Sequence, residues 1–506
     1  MRTTSQAQLD SVLEIAADVW SERIGIGVLE LQLDRDQLGR LSAIGVPYDI
    51  LIEDLQAHAD AHAADMRAIR QREATQTPDE SRRVAGVHDD SWFATYRTLD
   101  EISQYCENLA LQRPELASIS TIGQSWEGRD MFSITISGPD TVASPVNERP
   151  ALFIFSTVHA REWIAPMTTC YIASKLVSDY DTDDQVRMLL DHARVVVVPV
   201  GNPDGYLYTW SVERYWRKSR RDNGDGNFGV DINRNWGYEW GGSGSSGQTG
   251  SNTYRGTAPF SEPETQALRD VALGLGQSLV AHIDYHSYSQ LVLWPYGYAD
   301  GVITPEPYAS ELQAVSGCIA DTIFSTTGAY YNPIQSVDLY PAAGDSSDWF
   351  FGELARMSFT IELRTRNSFS PPPSEIRPCG RENYEAFLVV MDKAARHHRY
   401  LHQPMQQREL FDERWVRLHP FANAEVIDDS SLTLMTRIGT SGTFSALPMS
   451  IESPNVFTAE LPEGMCGDQV QYYFRLSEVT GQSRPSQKQG KLIRTSRSIQ
   501  REAHIH

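Results

Sequence analysis

Residues 151–170, ALFIFSTVHAREWIAPMTTC, constrain this chain more than any other stretch. Positions 152–158 form an apolar, β-branched and aromatic run of the kind that makes a buried strand. Where it stops, two metal-ligand side chains follow, His159 and Glu162. Beyond them Ile164, Met167, Tyr171, Leu176 and Val177 recur at near-helical spacing. His-Ala-Arg-Glu therefore sits where a strand runs into a helix, and a three-residue separation on a helical turn brings both side chains to one face. That arrangement suits two of the three protein ligands of a catalytic zinc, with one position left for water. The same spacing also fits a surface helix with an acidic first turn, so the rest of the chain has to decide.

At 506 residues the chain is too long for one ordinary domain, and about two to four are expected. Its composition, 41% hydrophobic and 22% charged, is that of a folded globular protein. A net charge of −22 argues against nucleic acid and anionic membranes as partners. Cys106, Cys170, Cys318, Cys379 and Cys466 are scattered, with no Cys-x-x-Cys pair. No thiolate zinc site is expected, one or two disulfides stay open, and the odd count leaves at least one thiol unpaired within the chain. No apolar run is long enough to span a bilayer. Residues 1–20 lack the apolar core of a signal peptide because acidic residues interrupt them. Cytoplasmic residence, a signal outside this sequence and another export route all stay open.

Residues 1–66 read as a small α+β unit. Strand alternation at 28–33 is followed by a helix over 36–44, with Asp34 or Asp36 at its start and Gly45 past its end. A second strand at 48–53 and a helix at 55–69 complete it. Segment 67–90 is polar, carries Arg67, Arg70, Arg72, Arg82 and Arg83, and reads as an exposed connector, either a plain linker or a protease target. Residues 91–402 alternate helix signals (99–111, 265–275, 308–326) with strand signals (117–122, 131–136, 151–158, 195–199, 279–285, 357–363). Long connections between the strands predict an α/β fold with a mixed sheet covered by helices. Such sheets bind ligands at the carboxyl ends of their strands. His159, Asn202, His286 and Glu362 all fall at or near predicted strand ends. Residues 222–227, DNGDGN, offer oxygen ligands for calcium but lack the full loop and terminal Glu of an EF-hand, which favours a plain turn. Beyond the polar stretch 403–409, residues 411–492 hold short β-rich segments between turn residues and predict a β-sandwich. The polar tail 493–506 is expected to be disordered.

A hydrolytic zinc needs a third ligand. His286 is the choice, and His282, on the same side of a strand by two-fold alternation, is the competitor. Water activation also needs a general base. Glu362 lies among apolar neighbours in FTIELR, and such a carboxylate is costly to bury without a partner or a task. The bland alternative is a salt bridge to Arg364 or Arg366. Residues 214–221, RYWRKSRR, are dense in cations, and VDINRNW adds Asn233 and Arg234. A guanidinium fork beside an amide donor suits carboxylate recognition, and a second Arg near the metal suits an oxyanion. By spacing alone a solvated loop is the favoured reading of the cationic run.

The motifs HAREW, NPDGY, YWRKSR, GVDINRNW, HSYSQLVLWPYGY and SFTIELR occur in this order over residues 92–400. Together they resemble the zinc metallocarboxypeptidases of the carboxypeptidase A/B type, and GVPYDILIEDLQ near the N-terminus resembles their activation propeptide. The resemblance implies a carboxypeptidase-like mixed sheet of the eight-stranded type and one Zn²⁺ held by His159, Glu162 and His286. It implies that Asp231 orients His159, that Glu362 is the general base, and that Arg217 polarises the scissile carbonyl. Asn233, Arg234 and Tyr340 are then expected to grip the substrate's C-terminal carboxylate, with Tyr340 on a mobile, glycine-containing lid. Arg161 and Arg214 are expected to line outer subsites, and Gly297, Asp345, Ser347 and Thr360 the side-chain pocket. Ser347 stands where relatives place a large apolar residue or an Asp, so a mixed preference for basic and apolar C-terminal residues is expected, with Asp345 supplying charge from another wall. No cysteine lies between Arg217 and Asp231, so the disulfide common there in animal relatives is missing. The resemblance further implies an exported zymogen opened by an activating protease and acting on peptides with a free C-terminus. A catalytically dead binding protein and a zinc amidase on a non-peptide or cell-wall amide are the alternatives. The intact ligands and base speak against the first, and the intact Asn233–Arg234 clamp against the second.

Overall fold

A computed structural model of the chain describes residues 1–16, 18–20, 26–75, 88–140, 145–305, 308–366, 368–395, 399–403, 415–421, 433–438, 443–453, 456–460 and 470–475. The chain divides into two compact units, Met1–Ala395 and Arg396–His506.

The first unit begins with α1 (Gln6–Ile15), β1 (Asp18–Val19), β2 (Leu31–Gln32), α2 (Arg35–Ala43) and α3 (Leu55–Thr75). Asp34, not Asp36, caps α2, in a reciprocal capping box with Gln37. The strand expected at 48–53 does not form. No described strand pairs with it, and Ile50, Leu51 and Ile52 remain exposed. Helix α3 continues to Thr75, so Arg67, Arg70 and Arg72 are helical rather than part of an open connector. Residues 76–87, with Arg82 and Arg83, lie outside the described residues.

The same unit continues with α4 (Leu99–Gln112), β3 (Ala117–Gln124), β4 (Asp130–Ser137), β5 (Ala151–Ser156), α5 (Ile164–Asp179), α6 (Asp184–His192), β6 (Arg194–Val198), α7 (Pro203–Ser211), α8 (Pro263–Leu275), β7 (Leu279–Ser287), β8 (Leu291–Trp294), α9 (Tyr308–Thr327), β9 (Asn332–Gln335), α10 (Ser346–Gly352), β10 (Met357–Leu363) and α11 (Ile376–Ala395). One eight-stranded mixed sheet runs in the order β3-β4-β6-β5-β7-β10-β8-β9. Its centre, β6-β5-β7-β10, is parallel, which is why β5 and β7 are apolar or buried along their whole length. Strands β8 and β9 escape sequence reading because they are four-residue strands on one side of the sheet, and β9 opens on Asn332-Pro333, at home only near an edge. Phe153, Phe155, Val196, Val198, Trp236 and Phe350 pack in one buried cluster. Each contributes about 1.5–3 kcal/mol by burial, which makes the sheet a rigid platform.

The second unit holds β11 (Arg399–Gln403), β12 (Trp415–Phe421), β13 (Thr433–Ile438), β14 (Ser445–Pro448), β15 (Ser450–Ser453), β16 (Val456–Glu460) and β17 (Val470–Arg475). They form antiparallel sheets in the orders β11-β12-β16-β15 and β14-β13-β17. The unit boundary falls after Ala395 rather than at 402, because Arg399–Gln403 pairs with β12. Cys466 and the tail 493–506 lie outside the described residues, and the four described cysteines are free thiols.

Candidate metal centre

Strand β5 ends at Ser156, and Thr157 turns the chain with φ +61°. That conformation is strained for a β-branched residue. It is held by the Thr157 hydroxyl donating to the Pro199 carbonyl at 2.9 Å. The turn delivers His159 and, one turn later, Glu162 just ahead of α5. His286 lies near the end of β7, and Glu362 is its partner in register on β10. All of these come from the carboxyl ends of adjacent parallel strands.

His159, Glu162 and His286 are buried, and their ligand atoms lie within 4.8 Å of one another. Among the described residues they form the only such cluster of three. His159 Nδ1 is 2.9 Å from Glu162 Oε1, His286 Nδ1 is 3.1 Å from Glu162 Oε2, and the two Nδ1 atoms are 3.0 Å apart. The outer nitrogens face carboxylates: His159 Nε2 is 3.1 Å from Asp231 Oδ1, and His286 Nε2 is 2.9 Å from Asp284 Oδ2. A carboxylate can only accept, so both protons belong on Nε2 and both Nδ1 lone pairs converge on Glu162. Two lone pairs and an anion facing one point repel unless a cation lies between them. The donor set, two imidazoles and one carboxylate, is that of a catalytic zinc.

His282 is excluded as a ligand. It lies four residues back along the strand, roughly 13 Å away by strand rise. Its ring stacks on Phe350 at 3.7 Å, with Nδ1 2.9 Å from Ser358 Oγ.

A family model described as zinc carboxypeptidase matches residues 102–386. Carboxypeptidase A1 of Rattus norvegicus is 32% identical over 400 residues, covering 77% of this chain and 90% of the relative. Carboxypeptidase A2 of Rattus norvegicus is 34% identical over 362 residues, covering 71% and 81%. The chain belongs to the zinc carboxypeptidase family. Among solved structures, thrombin activatable fibrinolysis inhibitor superposes with a TM-score of 0.66 at 27% identity, covering 78% of this chain and 97% of that one. Carboxypeptidase A from Helicoverpa armigera gives 0.66 at 26%, covering 78% and 96%. The protein is thus a metallocarboxypeptidase, a zinc hydrolase that releases C-terminal residues from peptides, and neither a dead scaffold nor an amidase is favoured.

The carboxypeptidase fold brings most of the expected residues to this centre. Asp231 shares its carboxylate between His159 and Arg217, whose Nη2 and Nε donate to Oδ2 at 2.9 and 3.2 Å. Burial drives Asp231 up, but Arg217 and His159 outweigh it and keep it well below the usual carboxylate range. Glu362 is half-buried and does not pair with Arg364 or Arg366. Arg364 donates to Glu382 at 3.0 Å, and Arg366 to the Tyr330 carbonyl at 3.2 Å. That removes the bland alternative. Burial pushes the Glu362 carboxyl up to about 8, against His286 and Arg217, which pull it down. A dication at the neighbouring ligands pulls in the same direction as those cations.

Asn233 accepts from the Ser346 backbone N–H at 2.9 Å. Arg234 donates from Nε to the Gly244 carbonyl and from Nη1 to the Asn233 carbonyl, at 2.9 and 2.7 Å, and its guanidinium lies 5.9 Å from the Tyr340 ring. Asp345 caps α10 and accepts from Ser347 Oγ at 3.1 Å. A side chain in place of Gly297 would meet Ser336 at 2.8 Å and the Asp345 carboxylate at 3.4 Å, so Gly297, Asp345 and Ser347 share one wall. Thr360 on β10 is in register with Asp284.

Arg214 departs from the expected subsite role. Its Nη1 and Nη2 donate to the carbonyls of Arg161 and Phe369 at 2.7 and 2.8 Å, and its guanidinium lies 3.7 Å from the Trp163 ring, so it braces the rim. The rest of the cationic run is not a solvated loop either. Arg221 pairs with Glu262 at 2.8 Å, Lys218 donates to the Thr249 carbonyl at 2.9 Å, and Arg220 lies 3.7 Å from the Tyr208 ring. In residues 222–227 the Asp222 and Asp225 carboxylates accept from the loop's own Gly224 and Asn227 N–H groups, which makes it a turn rather than a calcium loop. Asp284 and Asp348 were not singled out from sequence. Strand alternation carries the signal for Asp284, two residues before His286 on the same face. Asp348 accepts from the Gly297 N–H at 3.0 Å.

Proposed function

We propose that His159, Glu162 and His286 hold the zinc of this carboxypeptidase, with Glu362 as general base and Arg217 as oxyanion donor. The convergence of the two Nδ1 atoms on Glu162, with Glu362 in register beside His286, carries this reading. When bound, zinc supplies Lewis acidity and makes water a nucleophile near neutral pH. Glu362 takes the proton from the attacking water and hands it to the leaving amine. Arg217, locked to Asp231, donates to the oxygen that gains charge. Asn233, Arg234 and Tyr340 grip the substrate carboxylate, with the Nη2 end of Arg234 left for it. Replacing His159 with Ala is expected to abolish both zinc content and release of C-terminal residues, measured by metal analysis and peptide assay. Full zinc retention would sink the assignment.

The pocket residues support mixed specificity. Burial pushes the Asp345 carboxyl up to about 6 and, with Asp345 beside it, pushes Asp348 far higher, so Asp345 is the one that ionises. Above about 6 it is an anion that favours Lys and Arg, and below that it is neutral. The ratio of kcat/KM for Lys- over Phe-ended peptides is therefore expected to fall, by up to about tenfold, as pH is lowered through about 6. A pH-independent ratio, or a strong preference for Glu-ended peptides, would refute the assignment.

The N-terminal segment fits an inhibitory propeptide. Trp20 packs against Tyr215 and Phe369, with ring centroids 5.2 and 5.3 Å apart, and its carbonyl accepts from the Tyr288 hydroxyl. Arg161, the outer-subsite candidate, lies 4.0 Å from Phe369 and 5.8 Å from Trp20. The segment thus covers the rim that an extended substrate would cross. Helical backbone resists proteolysis, which disfavours cleavage by the activating protease at the arginines of α3. Limited trypsin treatment is expected to raise activity at least tenfold, and Trp20→Ala to raise that of the uncleaved chain. Equal activity before and after cleavage would rule the zymogen out. Among the described residues no helix is long and apolar enough to cross a membrane. Export follows the resemblance to secreted zymogens.

A further inference from the structure

His286 has two rival partners at its outer nitrogen. Asp284 Oδ2 lies 2.9 Å from Nε2, and Asn233 Nδ2 lies 3.3 Å from it. They demand opposite tautomers. The carboxylate accepts, which puts the proton on Nε2 and leaves Nδ1 bare toward Glu162. The amide nitrogen donates, which would put the proton on Nδ1, the nitrogen that faces the other ligands.

We propose that Asp284 is a positioning residue that holds His286 in the metal-competent tautomer against the competing Asn233 amide. The proposal rests on His286 being a ligand. Asp284 is fully buried, and among the described residues its Oδ1 has no hydrogen-bond partner. A strand interior gains nothing structural from such a carboxylate, since burying a half-satisfied charge costs free energy. Asp231 behind His159 shares its charge with Arg217. Behind His286 the Asp284 carboxylate receives only the ring and the Ser346 hydroxyl, at 2.7 Å, among its hydrogen bonds. Its charge is therefore directed at the imidazole and, through it, at the cation. Ser346 opens α10 and also donates its N–H to Asn233 Oδ1, so one residue fixes the carboxylate and the rival amide in place.

Zinc affinity measured by competition with a chromogenic chelator tests this, alongside the melting temperature of the zinc-free protein. Outer partners of metal-ligating imidazoles are typically worth 10–100-fold in affinity. D284A is expected to weaken zinc binding by about that factor. D284N, which keeps an acceptor oxygen but loses the charge, is expected to fall between D284A and the parent. The zinc-free D284A protein is expected to melt no lower than the zinc-free parent, since a half-satisfied buried charge has gone. Unchanged zinc affinity in D284A, or a lowered zinc-free melting temperature with affinity intact, overturns the proposal. H286A separates the two levels: it removes tight binding if His286 is a ligand, and undiminished binding in H286A would sink the ligand assignment itself.

Discussion

Glu362→Gln is expected to lower kcat by about 10²–10⁴-fold while one zinc per chain stays bound. The substitution keeps shape and removes the basic oxygen. Glu362 does not belong to the three-residue ligand cluster, so metal retention follows from geometry. Nor does the side chain support the fold through an ion pair, because Arg364 is committed to Glu382 and Glu375 across the α11 side of the sheet. Steady-state peptide hydrolysis together with metal analysis checks both halves. Turnover at the parent rate would remove Glu362 from the mechanism, and loss of zinc would make it a ligand.

Arg217→Ala is expected to cost about 10²–10³-fold in kcat with little change in KM, the signature of an interaction made mainly in the transition state. The guanidinium is pre-positioned. Its Nε and Nη2 both bond Asp231, and the Arg217 backbone carbonyl accepts from the Ala160 N–H next to His159, at 3.0 Å. A donor so fixed needs no reorganisation as charge develops on the substrate oxygen. Lysine is expected to recover only part of the loss, since its point charge cannot keep the two-pronged grip on Asp231 while reaching the substrate. A rise in KM at constant kcat would instead assign Arg217 to ground-state binding.

How far the chain is legible depends on whether a residue's task is local. The strands at the centre of the sheet are readable because full burial writes itself as an apolar run, as in residues 151–156 and 195–198. Helix α4 opens on a Thr98–Glu101 capping box, a signal confined to four consecutive residues. The short strands β8 and β9 draw their stability from pairing across the sheet, so nothing local marks them. The misreading at 48–53 has the same origin: an apolar segment becomes a strand only when another strand is beside it.

The site follows the same division. Sequence alone supplied the candidates: a possible ligand pair at strand end and helix start, a histidine and a glutamate on two later strands, and the motif order that points to a carboxypeptidase. It preferred His286 to His282, but alternation puts both on one face, so no local signal supported the choice. The fold chose, by placing His286 at the end of β7 beside the β5 turn and His282 under Phe350. Nor could sequence tell a bracing arginine from a substrate-binding one. Arg214 and Arg217 lie three residues apart in one cationic run, yet one is spent on backbone carbonyls and the other on Asp231. The physical reason is that hydrogen bonds and charge–charge contacts act over a few ångströms in space. Residue type and spacing fix which groups are present, but only the packed sheet decides which partner each one meets.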